Sequence, residues 1–216
     1  TATTEIYTLS LHDALPISTG RNCRSGAVFS QRSLKLYHGP DDPCGWWSQM
    51  TQKIQDAARR IRRRIVNVAH HAPSDGVHVS PALSMTDILS TLYGSVMRYD
   101  AQQITSKQRD VFILSKGHAA LGLYATLCEF GIITEAQLNE FEINGSVLQV
   151  HPTKHPEYGI DFSGGSLAQG LSFATGLALG RRLNGEAWHT YVLVGDGECN
   201  EGAIWEGAFM AAHHKI

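Results

Sequence analysis

The chain has 216 residues, 43% of them hydrophobic and 18% charged, with a formal net charge of −2 at neutral pH. That balance gives no electrostatic footprint for nucleic acid, and no run reaches the ~18 consecutive apolar residues of a membrane span. The four cysteines (Cys23, Cys44, Cys128, Cys199) lack the spacing of a disulfide framework or a metal site, which points to a reducing cytoplasm.

Residues 1–49 read as a leader outside the folded unit. Thr1–Ile17 has no basic n-region, no continuous apolar core and no small-residue cleavage pattern, so it is not a targeting peptide. The stretch resembles the in-frame translation of a sequencing adapter. Ser18–Gln49 holds turn formers and a Trp46-Trp47 pair without periodicity. One domain is therefore expected over residues 50–216, with Met50 as its start and few packed contacts from the leader.

From Met50 to His70, Ile54, Ala57, Ala58, Ile61, Ile65, Val68 and Ala69 recur at helical spacing. The run Arg59, Arg60, Arg62, Arg63 and Arg64 reads as the solvated basic face of that helix. Ser84–Tyr93 predicts a second helix, with Ser84 and Asp87 spaced as a capping pair. Asp110–Ser115 predicts a short buried strand, and Lys116-Gly117-His118 turns from it into a helix ending at Phe130, with Gly131 as its C′ residue. Thr134 and Gln137 cap another short helix. A loop rich in Pro, Gly and His follows over residues 150–163. Gly164-Gly165-Ser166 opens a long helix that runs through Leu183 to a stop at Gly185. Thr190–Val194 is the second strand, and Ala203–His214 the last helix. Alternating strands and helices predict an α/β fold in three layers, a parallel sheet with helices on both faces. Ligands of such sheets bind at the carboxyl ends of the strands, where His118 and Asp196 fall.

The strand Tyr191–Val194 runs into Gly195-Asp196-Gly197, followed by Glu198, Glu201-Gly202 and Trp205-Glu206. A carboxylate between two glycines at a strand end suits a hard cation and a closely approaching anion. Alone the tripeptide is unspecific. Four further segments accompany it: His78 with Leu83-Ser84 and Asp87-Ile88-Leu89, then Leu114-Ser115-Lys116-Gly117-His118-Ala119, then His151-Pro152 ahead of Gly159-Ile160-Asp161, then Gly165-Ser166-Leu167-Ala168-Gln169-Gly170-Leu171. In this order and spacing the set resembles the N-terminal, thiamine diphosphate-binding section of transketolases. The match departs from the family at Val77, Val79, Ser80 and Pro81, which replace a Gly-His-Pro-Gly pattern, and at Ala168, where the family has Gly.

The resemblance implies a thiamine diphosphate-binding domain, incomplete at its C-terminus, with Mg²⁺ or Ca²⁺ as a second cofactor. Asp196 would ligate the metal and Gly197 donate its N–H to the diphosphate. His118 would donate to the same group, and Gly165 and Leu167 would line the cofactor. His78 and His151 would face the reaction centre as catalytic residues. His155 competes with His151, because His155-Pro156-Glu157 also resembles the family's His-Pro-Glu, although spacing to Gly159 favours His151. Glu198 is read either as an outer partner of the metal or as an exposed loop carboxylate. Glu201 matches a family residue at the subunit interface. His70, His71, His189, His213 and His214 read as packed or surface side chains. The family's second metal ligand, an asparagine, and its pyrimidine-binding domain fall beyond Ile216.

The implied activity is transfer of a two-carbon ketol unit between sugar phosphates, together with a C-terminal section or subunit, in a homodimer or a heterotetramer. A fragment of this extent is not expected to be active alone. The alternatives are another thiamine diphosphate enzyme, such as a deoxyxylulose-phosphate synthase, and a non-catalytic α/β binding subunit.

Overall fold

The computed structural model describes residues 46–73 and 76–216. The readings of Thr1–Ile17 and of most of the leader lie outside the described residues. The first helix already runs at Trp46, ahead of Met50.

Helix α1 (Trp46–His71) buries Ala57, Ala58, Ile61, Ile65 and Val68, the stripe its 3.6-residue periodicity predicts. It packs against α2 (Val79–Ser84), α3 (Thr86–Thr91) and α4 (Ala120–Glu129). Its arginine run faces outward but is anchored at several points. Arg60 and Arg64 both pair with Glu129 at the end of α4, Arg64 also with Glu135, Arg62 with Asp87, and Arg59 with Asp56. Pairs this exposed contribute little each, yet they fix how α1 lies across α3 and α4.

The single helix expected over Ser84–Tyr93 is two helices and a π-turn. The chain becomes helical earlier, at Val79, with Pro81 tolerated in the first turn where a missing N–H does no harm. It breaks at Met85, restarts at Thr86 and ends in a π-turn over Leu92–Val96. Ser84 is therefore no cap. Its hydroxyl donates back to the Pro81 carbonyl, and Asp87 turns to Arg62.

Strand β1 (Val111–Leu114) pairs in parallel with β2 (Thr190–Leu193), Val111 opposite Thr190 and Leu114 opposite Leu193. Helices cover both faces of this sheet, as the sequence predicts. Phe112 and Leu114 enter the main core with α1, α3 and α4, while Val111 and Ile113 pack with Ala174 and Trp188 on the other face. That second face is closed by α6 (Gln169–Leu183), which packs on both strands and on α7 (Gly202–His214). Between α4 and α6, Gly131 takes φ +72°, and Thr134 and Gln137 form a reciprocal capping box on α5 (Glu135–Leu138).

Helix α6 starts at Gln169, later than its glycines suggest. Ala168 holds the capping position in the left-handed region, φ +70°. This accounts for glycine at that position in the family pattern, since a Cβ is disfavoured there by roughly 1–2 kcal/mol. One residue in, an added Cβ on Gly170 would lie 2.5 Å from Cβ of Ser115, so α6 crosses the end of β1 at backbone distance.

Candidate active site

His78, His118 and His151 gather near the carboxyl ends of β1 and β2, where Asp196 and Gly197 also lie. Leaving β1, the chain forms a tight 3-10 turn over Gly117–Ala119 that presents His118. Gly117 is required there. A Cβ on it would meet the Gly165 nitrogen at 2.5 Å and the Gly164 carbonyl carbon at 2.8 Å, so two backbones touch without a side chain between them. His78 arrives from the residue before α2, and His151 from the loop after α5. The ring centroids of His78 and His118 are 5.5 Å apart, and those of His78 and His151 6.3 Å. Gly165 adopts φ +148°, and a Cβ on it would lie 3.6 Å from the His151 ring. Three histidines from three segments thus share one opening.

The structure separates His151 from His155. His155 lies away from the cluster, its Nδ1 2.9 Å from Glu157, its ring edge-on to Tyr158, and its backbone bridged to Ile160. The loop carrying His151 is held from below by Asp161, which accepts both 2.7 Å and 2.9 Å bonds from the buried Arg109 guanidinium. His70 and His71 stack edge-on to each other, as do His213 and His214, and His189 stays by the start of the strands.

At the end of β2, Asp196 and Gly197 are exposed, and nothing lies within 4 Å of the position a Gly197 Cβ would take. Lys116 reaches across from β1 and packs on Gly195, while its ammonium donates to Ser84 Oγ at 3.3 Å. Burial depresses the Lys116 pKa, and the charges of Asp196 and Glu198 oppose that shift. His118 is likewise pushed below its ordinary value, first by burial and then by His78, Lys116 and His151.

Glu198 is the residue that sequence reasoning left undecided. It is 2% exposed. Its Oε1 accepts the Ser115 hydroxyl at 2.5 Å and the Ala168 N–H at 2.7 Å, and its Oε2 accepts the Gly195 N–H at 2.8 Å. The spacing Gly195-x-x-Glu198 is that of a capping box, where a carboxylate reaches back to an N–H three residues earlier. That was the signal available in the sequence. Leu167, beside Ala168, is exposed, and Glu201 stands exposed at the N-cap position of α7 without a side-chain capping bond.

Among the described residues no group of three or more His, Cys, Asp and Glu is arranged to hold a metal. Asp196 is a lone carboxylate. That fits a Mg²⁺ of the kind held by one or two carboxylates together with phosphate oxygens and water, rather than by an all-protein cage. The open backbone at Gly197, the glycine cradle at Gly117, Gly164 and Gly165, and the N–H donors of His118 and Lys116 fit a diphosphate.

Comparison with known proteins agrees with this geometry. Residues 54–216 match the transketolase, thiamine diphosphate binding domain family. The chain belongs to this family. It is 39% identical over 164 residues to an apulose-4-phosphate transketolase subunit of Actinobacillus succinogenes, covering 76% of this chain and 59% of that protein. Human transketolase is 35% identical over 184 residues, 85% of this chain and 28% of that one. Among solved structures, transketolase from Leishmania mexicana superposes with a TM-score of 0.65 at 28% identity, over 74% of this chain and 25% of that one. A transketolase variant from Pichia stipitis gives 0.67 at 27% identity over the same shares. This transketolase-type domain thus spans over half the length of the Actinobacillus relative and about a quarter of the others. No helix among the described residues is long and apolar enough to cross a membrane.

Proposed function

We propose that this chain supplies the diphosphate-binding half of a thiamine diphosphate site, in an enzyme that transfers a two-carbon ketol unit between sugar phosphates. The observation that carries the reading is the meeting of His78, His118 and His151 at the carboxyl ends of the two strands that also present Asp196 and Gly197. When bound, thiamine diphosphate supplies the nucleophilic carbon and the electron sink. The chain's residues bind and orient. Asp196 would ligate Mg²⁺ (or Ca²⁺), and the Gly197 N–H and His118 would hold the diphosphate. Gly165 and Leu167 would line the cofactor. His78 and His151 would hydrogen-bond the donor's hydroxyls and give or take protons at its oxygens.

A second section or subunit completes the site. The Actinobacillus relative and its counterpart from Phocaeicola vulgatus are named as subunits of a transketolase, which supports a separate C-terminal chain as partner. The assembly is then a heterotetramer or, where the sections are joined, a homodimer. The test is reconstitution. The chain is mixed with a C-terminal transketolase section, Mg²⁺ and thiamine diphosphate, and ketol transfer from a ketose phosphate to an aldose phosphate is followed. Transfer that needs both proteins and falls at least ~100-fold in His151→Ala supports the reading. A folded, assembled mixture without transfer contradicts it.

A further inference from the structure

Glu198 joins three segments that are distant in sequence, and each of its donors is a neighbour of residues assigned to the cofactor. Ser115 directly precedes Lys116, Gly117 and His118. Ala168 directly follows Leu167 and caps α6. Gly195 directly precedes Asp196 and Gly197. Between them these donors cover the β1 turn, the α6 entry and the β2 turn, the three walls of the opening apart from the His78 and His151 loops. A carboxylate at 2% exposure is unfavourable unless its oxygens are well satisfied, and here each oxygen has at least one donor, two of the three being backbone amides. The Ala168 amide also lies at the N-terminus of α6, where negative charge is favoured.

We infer that Glu198 is a positioning residue. By gripping the Ser115 hydroxyl and the Ala168 and Gly195 amides, it sets the spacing of the three loops that receive the diphosphate and its metal. This rests on the proposed function, since the loops' ligand is taken from that reading. Glu198 itself touches no substrate. Its effect is to hold His118, Leu167 and Asp196 in mutual register, as outer hydrogen-bond partners hold the ligands of a metal site.

The test uses the full chain, its Glu198→Gln and Ser115→Ala variants, and circular dichroism to establish folding. Glu198→Gln keeps the shape but turns an NH₂ group toward at least one of three donors. Two readouts follow: amide exchange at Gly195 and Ala168 in ligand-free protein, and the affinity of the chain, assembled with a C-terminal transketolase section, for thiamine diphosphate with Mg²⁺. Glu198→Gln is expected to speed exchange at both amides and to weaken binding about 10- to 100-fold. Ser115→Ala, which removes one donor of three, should weaken binding less. Unchanged exchange at both amides in folded Glu198→Gln overturns the inference, as does faster exchange with wild-type affinity. If Glu198→Gln does not fold, the same readouts on Ser115→Ala decide, and wild-type values in both overturn it. Absence of binding to the wild-type chain assembled with a C-terminal section would contradict the proposed function instead, and the exchange rates alone would then decide whether Glu198 holds the loops.

Discussion

The two ends of the strand pair are each tied by one buried carboxylate, and they differ in what surrounds the tie. At the amino ends Asp110, 1% exposed, accepts the backbone amides of Arg98 at 2.8 Å and His189 at 2.7 Å. At the carboxyl ends Glu198 accepts those of Ala168 and Gly195. Around Asp110 the remaining charged groups satisfy one another. The Arg98 guanidinium closes on Asp110 and on the Ala187 carbonyl, and Arg109 closes on Asp161. Around Glu198 they do not: Asp196, Gly197 and His78 are exposed, and nothing lies within 4 Å of a Cβ built on Gly197. The same device closes the fold at one end and holds a site open at the other.

If that contrast holds, breaking the amino end chiefly removes stability, and breaking the carboxyl end chiefly weakens the site. The largest effect is expected for Asp161→Ala. It leaves the buried Arg109 guanidinium without its carboxylate and should lower the unfolding free energy by about 3 kcal/mol in urea denaturation. Next is Asp110→Asn. Burial opposes ionisation of Asp110, but the bonds from His189 and Arg98 prevail and hold its pKa at about 2, against an ordinary value of 3.8. A depressed carboxylate pKa contributes stability that is complete above the ordinary value and is lost as pH falls through the depressed one. The wild type should therefore lose on the order of 1–2 kcal/mol between about pH 4 and pH 2, a loss that Asp110→Asn should not show. The variant's loss at pH 7 should be similar, read by thermal melts.

At the carboxyl end, Gly117→Ala pushes a methyl into the Gly164-Gly165 backbone. The loops can move apart into the opening, so the expected stability loss is about 1 kcal/mol. Cofactor affinity should fall at least tenfold, measured by calorimetry. The smallest effect is that of Ala168→Gly. Relief of the left-handed conformation, worth about 1–2 kcal/mol, opposes the loss of one buried methyl, about 0.8 kcal/mol. A net gain near ~0.5 kcal/mol should appear as a slightly higher melting temperature.

Much of this organisation was legible in the sequence. Both strands, the Thr134–Gln137 box and the stops at Gly131 and Gly185 follow from local chemistry: a short apolar run, a reciprocal cap, a residue free to take positive φ. The order of motifs located His78, His118, His151 and Asp196, and the fold brings the histidines together. What stayed illegible depends on contacts between distant segments. Ser84 and Asp87 have the spacing of a cap, yet Asp87 is claimed by Arg62 and the helix had already begun. Glu198 looks like a loop carboxylate until Ser115 and Ala168 are placed beside it. Spacing to Gly159 favoured His151 over His155, and the fold places the His151 ring 6.3 Å from that of His78.

The most direct test is calorimetric titration of thiamine diphosphate, with Mg²⁺, into this chain assembled with a C-terminal transketolase section, with Asp196→Ala alongside. The account predicts Mg²⁺-dependent binding to the wild type and its loss in folded Asp196→Ala. Equal affinity in the two proteins, or binding indifferent to the metal, would contradict the assignment of the strand ends as a diphosphate site.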